Sequence, residues 1–240
     1  HNFRSTHHYY LQRYQQDKEH YDRLSGATLI PGAVSPRVVV VVIGESAGRR
    51  HWGLYGYPRD TTPRLTQMRN ELHVFTDVIT ASVGSIASIT ESLTTQGDGL
   101  PIFNLFSGAG YSTHWISAQY NQGFDDLELS ALVSSCGKRT YLSGAYDENL
   151  VPLLAEAAAG PGKQMIFINL MGSHVRYDDR YPASAAVFQG KDKAERIRAD
   201  YDNTIHYTDG VLADMLECVR ALDTSACFLH FSDHGEDVYD

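Results

Sequence analysis

The stretch RVVVVVIGES constrains the fold more than any other part of the sequence, because five valines and an isoleucine follow one another without interruption. A β-branched run without polar alternation is typical of a strand buried on both faces, as in a parallel sheet. The run from Val38 to Ile43 ends at Gly44, and Glu45 follows it. We therefore predict a central strand with an acidic residue at its carboxyl end.

Later apolar runs repeat this pattern: STHWIS around Trp115, then QMIFINLMG, then ACFLHFSD. Helical patterns lie between the strands, over residues 85–94, 149–159 and 191–222, and the last is long and amphipathic. Strands that alternate with helices form βαβ units with right-handed crossovers. The sequence therefore predicts an α/β fold, with a mostly parallel central sheet sandwiched between helices.

The chain has 240 residues, of which 42% are hydrophobic, and this suffices for one large α/β domain. We place that domain at residues 37–240, after a linker or juxtamembrane segment over residues 1–36 whose first part reads as an amphipathic or loosely ordered helix. A formal net charge of −9 argues against nucleic acid as a partner. No segment approaches the roughly 18 to 20 apolar residues that span a bilayer.

The cysteines and most histidines read as structural or solvated residues. Cys136, Cys218 and Cys227 show no C-x-x-C spacing, so we expect buried small hydrophobes and no disulfide framework. The histidines in polar surroundings are expected to be solvated; they are His1, His7, His8, His20 and His51. His230 alternates with core residues on its strand, which indicates a structural role.

Polar residues with metal-binding chemistry follow three of the predicted strands. Glu45 follows the first, His174 the third, and Asp233 with His234 the fourth. The carboxyl ends of parallel strands meet at one edge of a sheet, where ligands collect. Mixed oxygen and nitrogen ligands suit Zn²⁺ or a similar divalent ion. Taken singly, Glu45 is equally well explained as a helix N-terminal acid, and His174 as a hydrogen-bonded loop residue.

A nucleophile is expected in the stretch TDVITASVGSIASITESLT, which follows a predicted short strand and enters a helix. Ser82, Ser85 and Ser88 are candidates, because a hydroxyl at a helix N-terminus lies near free N–H groups and partial positive charge. On local sequence alone the simpler interpretation, an N-cap serine, is preferred.

A polar stripe is also predicted within the long helix. Asp202, His206 and Asp209 recur at helical spacing, so they face either the site or solvent, and the solvated face is preferred.

Four segments together resemble the catalytic domain of bacterial phosphoethanolamine transferases, in the alkaline phosphatase and sulfatase superfamily. They are VVVVVIGESAGRRHWGLYGYPRDTTP, MGSHVRYDDRYP, YDNTIHYTD and FSDHGEDVYD. The resemblance extends in order from Arg37 to Asp240 and is closest to the branch that acts on the lipopolysaccharide core heptose. It implies an alkaline phosphatase/sulfatase-like fold.

The resemblance implies a zinc site in which Glu45, Asp233 and His234 are ligands and the nucleophile contacts the ion. Alignment from FTDVIT places Ser85 at the nucleophile, where the family usually has threonine, with Ser82 as the alternative. One or two zinc ions are expected.

The substrate groups follow from the same resemblance. His174 matches a histidine that contacts the substrate phosphate or a second zinc, and it is expected to act in catalysis and substrate binding. Gln119 and Asn121 are further expected substrate-binding residues.

The resemblance also implies the reaction and its location. The donor is expected to be phosphatidylethanolamine and the acceptor lipopolysaccharide, at a core heptose or at lipid A. The chain is expected to be the periplasmic domain of an inner-membrane protein, with its membrane-spanning region missing and its carboxyl end truncated at Asp240.

Two other classes remain open. One is a phosphatase or sulfatase of the same superfamily, although no C-x-P-x-R sulfatase signature surrounds Ser85. The other is a catalytically silent metal-binding domain.

Overall fold

The central sheet contains five strands, all parallel to their neighbours, in the order β3-β2-β4-β1-β5. The strands are β1 (Val38–Gly44), β2 (Tyr111–Ser117), β3 (Lys138–Tyr141), β4 (Lys163–Asn169) and β5 (Ala226–Ser232). The structure is a computed structural model, and it describes residues 12–21, 35–97, 99–119, 127–142 and 144–238. The predicted parallel sheet is confirmed in this part of the chain.

Helices cover both faces of the sheet. They are α1 (residues 12–21), α2 (Pro63–Gln67), α3 (Ser85–Ser92), α4 (Ile102–Gly108), α5 (Leu127–Ser134), α6 (Leu150–Ala158) and α7 (Lys193–Arg220). The three helices predicted from periodicity correspond to α3, α6 and α7. Nowhere in the described ranges is a helix long and apolar enough to cross a membrane.

Residues of β1 alternate between two hydrophobic cores, which explains the unbroken valine run. Val40 and Val42 belong to a core that includes residues of α6 and α7. Val41 and Ile43 belong to a second core with residues of α3, α4 and α5. Because each face of β1 contacts a helical layer, polar alternation would place a polar side chain in a core.

The register of the sheet brings three strand ends to the same level. Gly44 at the end of β1 pairs with Ser232 of β5, and Ile43 pairs with Asn169 of β4. The residues that follow these strands therefore leave the sheet side by side. This edge is where the sequence predicted the site.

Two predictions about strands were incomplete or wrong. β3 was not predicted, because Lys138–Tyr141 is a short polar strand at the edge of the sheet. The strand predicted before Ser85 is absent from residues 72–84, which are irregular. Val78 and Ile79 are 65% and 91% exposed there. These β-branched residues favour a strand, but no neighbouring strand of the described structure pairs with this segment.

The cysteine predictions are confirmed in part. Cys136, Cys218 and Cys227 are all free thiols, so they form no disulfide. Cys136 is buried, as predicted, and Cys218 is half-buried. Cys227 is exposed because it lies on β5, which is an edge strand of the described sheet.

The histidine predictions were right for His20 and wrong for His51. His20 is exposed, whereas His1, His7 and His8 lie outside the described residues. His51 is 1% exposed, and its Nδ1 lies 2.7 Å from Asp202 Oδ1. The ring of His230 packs on Trp52, and burial lowers the pKa of this histidine to about 4, which agrees with a structural role.

Both interpretations of the polar stripe on α7 were wrong for its two acids, which are buried structural acceptors. Asp202 is fully buried, and its Oδ2 accepts hydrogen bonds from Arg59 Nη1 at 2.8 Å and Tyr57 Oη at 2.9 Å. Asp209 is 1% exposed and accepts from the backbone N–H groups of Arg64 and Leu65 at the start of α2. These carboxylates anchor the segment after β1 to α7.

Replacement of Asp202 by alanine should lower the free energy of unfolding by about 3–5 kcal/mol, because it leaves buried His51 and partly buried Arg59 without their common acceptor. Asp214→Ala on the same helix is the matched control, since the Asp214 side chain is 51% exposed and pairs with Arg64. That control should cost less than about 1 kcal/mol. Urea denaturation followed by circular dichroism measures both, and equal costs would contradict the assignment of Asp202 as an anchor.

Candidate active site

Glu45 directly follows the last residue of β1, and it is buried, at 2% exposed. Its Oε1 accepts from the Ser46 hydroxyl at 2.7 Å, and its main-chain oxygen accepts from Ser173 N at 2.9 Å. A Cβ at Gly172 would lie 2.9 Å from the Glu45 main-chain N and O, and Gly172 has a φ of +50°. Only glycine permits this approach, which brings the segment after β4 against Glu45.

Tyr201 on α7 fixes the turn after β1. Its hydroxyl donates to the Ser46 main-chain oxygen at 2.6 Å and accepts from Gly48 N at 2.7 Å. Ser46 itself has a φ of 55°, a left-handed conformation that is uncommon without glycine. A fully buried aromatic side chain therefore holds the turn that presents Glu45.

Asp233 follows β5 and is 1% exposed. Its Oδ1 accepts from Ser46 N at 3.0 Å and from His234 N at 2.7 Å, whereas its buried Oδ2 has no hydrogen-bond partner. Burial, and then the negative charge of Glu45, raise the pKa of Asp233 to about 6. A buried carboxylate oxygen without a partner indicates that a positive group belongs beside it.

His234 presents a lone pair to the same space. Its Nδ1 lies 2.9 Å from the Gly235 main-chain oxygen, which can only accept a hydrogen bond, so Nδ1 carries the proton. In the neutral ring Nε2 is then unprotonated. This Nε2 lies 3.5 Å from Glu45 Oε1 and 3.6 Å from Asp233 Oδ2.

Ser85 is the first residue of α3, and its hydroxyl contacts the Glu45 carboxylate and the His234 imidazole. Ser85 Oγ lies 3.1 Å from Glu45 Oε2 and 3.1 Å from His234 Nε2. Gly84 occupies the N-cap position and no side chain caps the helix, so the N-cap interpretation of Ser85 is wrong.

The other two serines point elsewhere. Ser82 Oγ accepts from Gly84 N at 3.3 Å in a local turn. Ser88 is buried, and its hydroxyl donates to the Asp233 main-chain oxygen. Their described contacts are with main-chain groups and with Thr80, so Ser85 is the serine that meets the cluster.

The chemistry of the cluster fits a divalent cation. Glu45, Asp233 and His234 each offer one ligand atom, and these atoms lie within 4.8 Å of one another. The converging atoms are carboxylate oxygens, an unprotonated imidazole nitrogen and a hydroxyl oxygen. This donor set suits Zn²⁺, and a cation among them would use the unpaired Oδ2 of Asp233.

The expected substrate-binding residues differ in their positions. Gln119 touches the cluster, because its Nε2 donates to Glu45 Oε2 at 3.0 Å and to the Leu170 main-chain oxygen at 2.7 Å. His174 is exposed on the segment after β4, one residue beyond Ser173, and does not join the three-residue cluster. Asn121 lies outside the described residues.

Sequence reasoning missed a supporting carboxylate, Asp147. It is 2% exposed and accepts from Met171 N and Gly172 N, each at 2.9 Å. It thereby holds the segment that carries His174. In the stretch AYDENL an aspartate before a helix reads as a cap, so local sequence offers no signal for this contact.

Comparison with known proteins identifies the family to which this site belongs. A sequence model of the sulfatase family matches residues 37–240. The chain belongs to the sulfatase family. Its fold is that of the alkaline phosphatase superfamily, so the family resemblance predicted from the motifs is confirmed.

Curated relatives of this sulfatase-family chain include phosphoethanolamine transferases. It is 33% identical over 233 residues to EptC of Escherichia coli O18:K1:H7, with 85% of this chain covered. It is 34% identical over 235 residues to CptA of Salmonella typhimurium, with 86% covered. The chain spans only 40% and 41% of the lengths of these relatives.

A solved relative contains the ion that the cluster fits. The C-terminal periplasmic domain of Escherichia coli EptC, in complex with Zn, superposes with a TM-score of 0.77 and 30% identity. The match covers 88% of this chain and 67% of that one. The zinc belongs to that protein, and the present chain shares its fold.

Glu45→Gln should weaken zinc binding by at least about 100-fold, because loss of even an outer-shell partner commonly costs about 10–100-fold. Glu236→Gln is the matched control, since Glu236 is an exposed acid close to Asp233 in sequence. Metal content after dialysis and competition with a chromophoric chelator measure the affinity. Full affinity in Glu45→Gln would remove Glu45 from the ligand set.

Stability should depend on pH through Asp147, whose pKa is raised by burial from 3.8 to about 6. Between these two values the folded state keeps the proton of the Asp147 carboxyl group, whereas the unfolded state has lost it. The stabilising contribution is therefore present below pH 3.8 and is lost as pH rises through about 6. The unfolding free energy of the wild type minus that of Asp147→Asn should therefore be larger at pH 4 than at pH 7, by about 2 kcal/mol. Urea titrations measure it, with the exposed Asp178→Asn as control; a pH-independent difference would contradict the prediction.

Proposed function

We propose that this chain is the catalytic domain of a zinc-dependent phosphoethanolamine transferase, which moves phosphoethanolamine from phosphatidylethanolamine to lipopolysaccharide through a covalent phospho-enzyme. The observation that carries the proposal is the position of Ser85 Oγ, 3.1 Å from both Glu45 Oε2 and His234 Nε2. A hydroxyl beside a metal-binding cluster, at the start of a helix, is suited to attack phosphorus. The names of the relatives supply the group transferred.

Glu45, Asp233 and His234 would hold the zinc ion. When bound, that ion supplies positive charge that lowers the pKa of a neighbouring hydroxyl and offsets negative charge on phosphoryl oxygens. Glu45 Oε2 accepts the Ser85 hydroxyl hydrogen and so directs an oxygen lone pair away from the carboxylate. Ser46 Oγ and Gln119 Nε2 donate to Glu45 and fix its orientation.

The first step forms a bond between Ser85 Oγ and the donor phosphorus and breaks the phosphorus–oxygen bond to diacylglycerol, which leaves with a proton. The second step forms a bond from an acceptor hydroxyl oxygen to the phosphorus and breaks the Ser85 Oγ–phosphorus bond, and the proton lost by the acceptor hydroxyl returns to Ser85 Oγ. The backbone N–H groups in the first turn of α3, which no side chain caps, would donate to the phosphoryl oxygens in both steps.

His174 is proposed to contact the phosphate or to protonate the leaving oxygen. The contact of Ser173 N with the Glu45 main-chain oxygen, at 2.9 Å, keeps the His174 segment beside the cluster. The exposed side chain of His174 remains accessible to a lipid-borne substrate. Asn121 is retained as a proposed substrate-binding residue.

The acceptor is proposed from the resemblance of the sequence motifs, and the location from a solved relative. We assign lipopolysaccharide as the acceptor, with the core heptose ahead of lipid A. The solved relative is a periplasmic domain, and the same location is proposed here for a domain that belongs to an inner-membrane protein. One or two zinc ions are expected.

Ser85→Ala should abolish transfer of phosphoethanolamine to the protein, because no other hydroxyl meets both Glu45 and His234 in the described structure. Ser85→Thr should retain labelling, since threonine offers the same hydroxyl. Ser82→Ala is the matched control and should label normally. Intact-protein mass spectrometry after incubation of the zinc-loaded chain with phosphatidylethanolamine micelles measures the adduct.

Three outcomes of this experiment separate the classes of function. Labelling that survives in Ser85→Ala would move the nucleophile to another residue. Release of free phosphoethanolamine without any acceptor would indicate a hydrolase of the same superfamily. Stoichiometric zinc with no adduct in the wild type would indicate a silent metal-binding domain.

A further inference from the structure

A pocket opens beside Ser85, on the side of α3 that faces α5. Its volume is about 50 Å³, which is room for only a few water-sized groups, so it suits a short substituent and not a whole drug-sized ligand. Its lining includes Ser85, Ser117, Gln119 and Asn169 together with aromatic and aliphatic side chains. Ser85, the proposed nucleophile, is therefore part of the pocket wall.

Asn169 at the end of β4 gives this pocket an unused acceptor. The residue is 2% exposed, and its Oδ1 is buried without a hydrogen-bond partner. A buried amide oxygen without a donor is energetically unfavourable, so such atoms usually accept from a ligand or an ordered water.

The neighbouring hydroxyl fixes the orientation of this amide. Ser117 Oγ donates to the Gln119 main-chain oxygen at 3.0 Å and accepts from Gln119 N at 3.0 Å. Because its single hydrogen is used, it can only accept from Asn169, whose Nδ2 lies 3.2 Å away. The amide therefore keeps its nitrogen on Ser117 and leaves Oδ1 for another donor.

The pocket lining favours a cation with a short apolar stem. None of the described residues that line it is lysine, arginine or histidine. Trp115 and Tyr141 contribute aromatic rings, which attract cations, and Ile86 and Leu129 offer apolar surface to methylene groups. Gln119 links the pocket to the Glu45 carboxylate by a 3.0 Å hydrogen bond.

We propose that this pocket binds the primary ammonium of the transferred phosphoethanolamine group, with Asn169 Oδ1 as acceptor of one ammonium hydrogen. The inference rests on the proposed function and adds a residue that selects the headgroup. The phosphorus lies at Ser85 Oγ, the methylene groups lie along the apolar wall, and the ammonium reaches Asn169. A quaternary ammonium has no hydrogen to donate, so it leaves Oδ1 unpaired and is discriminated against.

The test compares two donors, phosphatidylethanolamine and phosphatidylcholine, in the labelling of zinc-loaded chain. Asn169→Leu keeps the side-chain size and removes the acceptor, so the preference for phosphatidylethanolamine should fall by about ten-fold or more. Asn169→Asp keeps an acceptor and should retain the preference. Thr90→Val is the matched control, because Thr90 Oγ1 is also buried without a partner but lies outside the pocket lining.

A binding measurement separates failure of the pocket from failure of the reaction. Calorimetric titration with O-phosphoethanolamine should show binding to the wild type and at least ten-fold weaker binding to Asn169→Leu, whatever the labelling result. A wild type that binds but labels with neither donor would overturn the proposed function alone. Equal donor preference and equal binding in Asn169→Leu and wild type, both folded by circular dichroism, would overturn the ammonium pocket alone.

Discussion

Two carboxylates are buried side by side at the carboxyl edge of the sheet, and the surrounding structure follows from that electrostatic constraint. Glu45 and Asp233 are 2% and 1% exposed, and their mutual repulsion adds to the cost of burial. Backbone and side-chain donors such as Ser46 N and Gln119 Nε2 offset part of this cost. The Oδ2 of Asp233 remains unpaired, which leaves this edge with uncompensated negative charge that a cation would offset.

The parts of the molecule that hold this edge are as important as the ligand atoms. Tyr201 and Asp202 on α7 fix the turn and the segment after β1, and Asp147 fixes the segment after β4. Gly172 allows these two segments to touch. Preorganisation of this kind places donors before the reaction begins, which is how metal and phosphoryl-transfer sites reach high rates.

Sequence patterns gave the sheet and most of the site, for identifiable reasons. The valine run, together with residues at strand ends, predicted β1 and the meeting of Glu45 with Asp233 and His234. They failed where local signals are ambiguous: β3 is short and polar, and the FTDVIT segment has strand-forming residues without a partner. The family resemblance, more than local sequence, singled out Ser85, since serine before a helix usually reads as a cap.

By itself, the sequence determined an α/β chain with parallel strands and acids and imidazoles at their carboxyl ends, because periodicity and strand-end position are local properties. Only the tertiary structure decided which hydroxyl meets those groups. It also showed that Asp202 is a buried anchor and not a solvated residue, and that Asn169 has an unpaired acceptor oxygen in the pocket beside Ser85. Each of these facts depends on contacts between residues far apart in the chain, whose distances follow from register and helix packing.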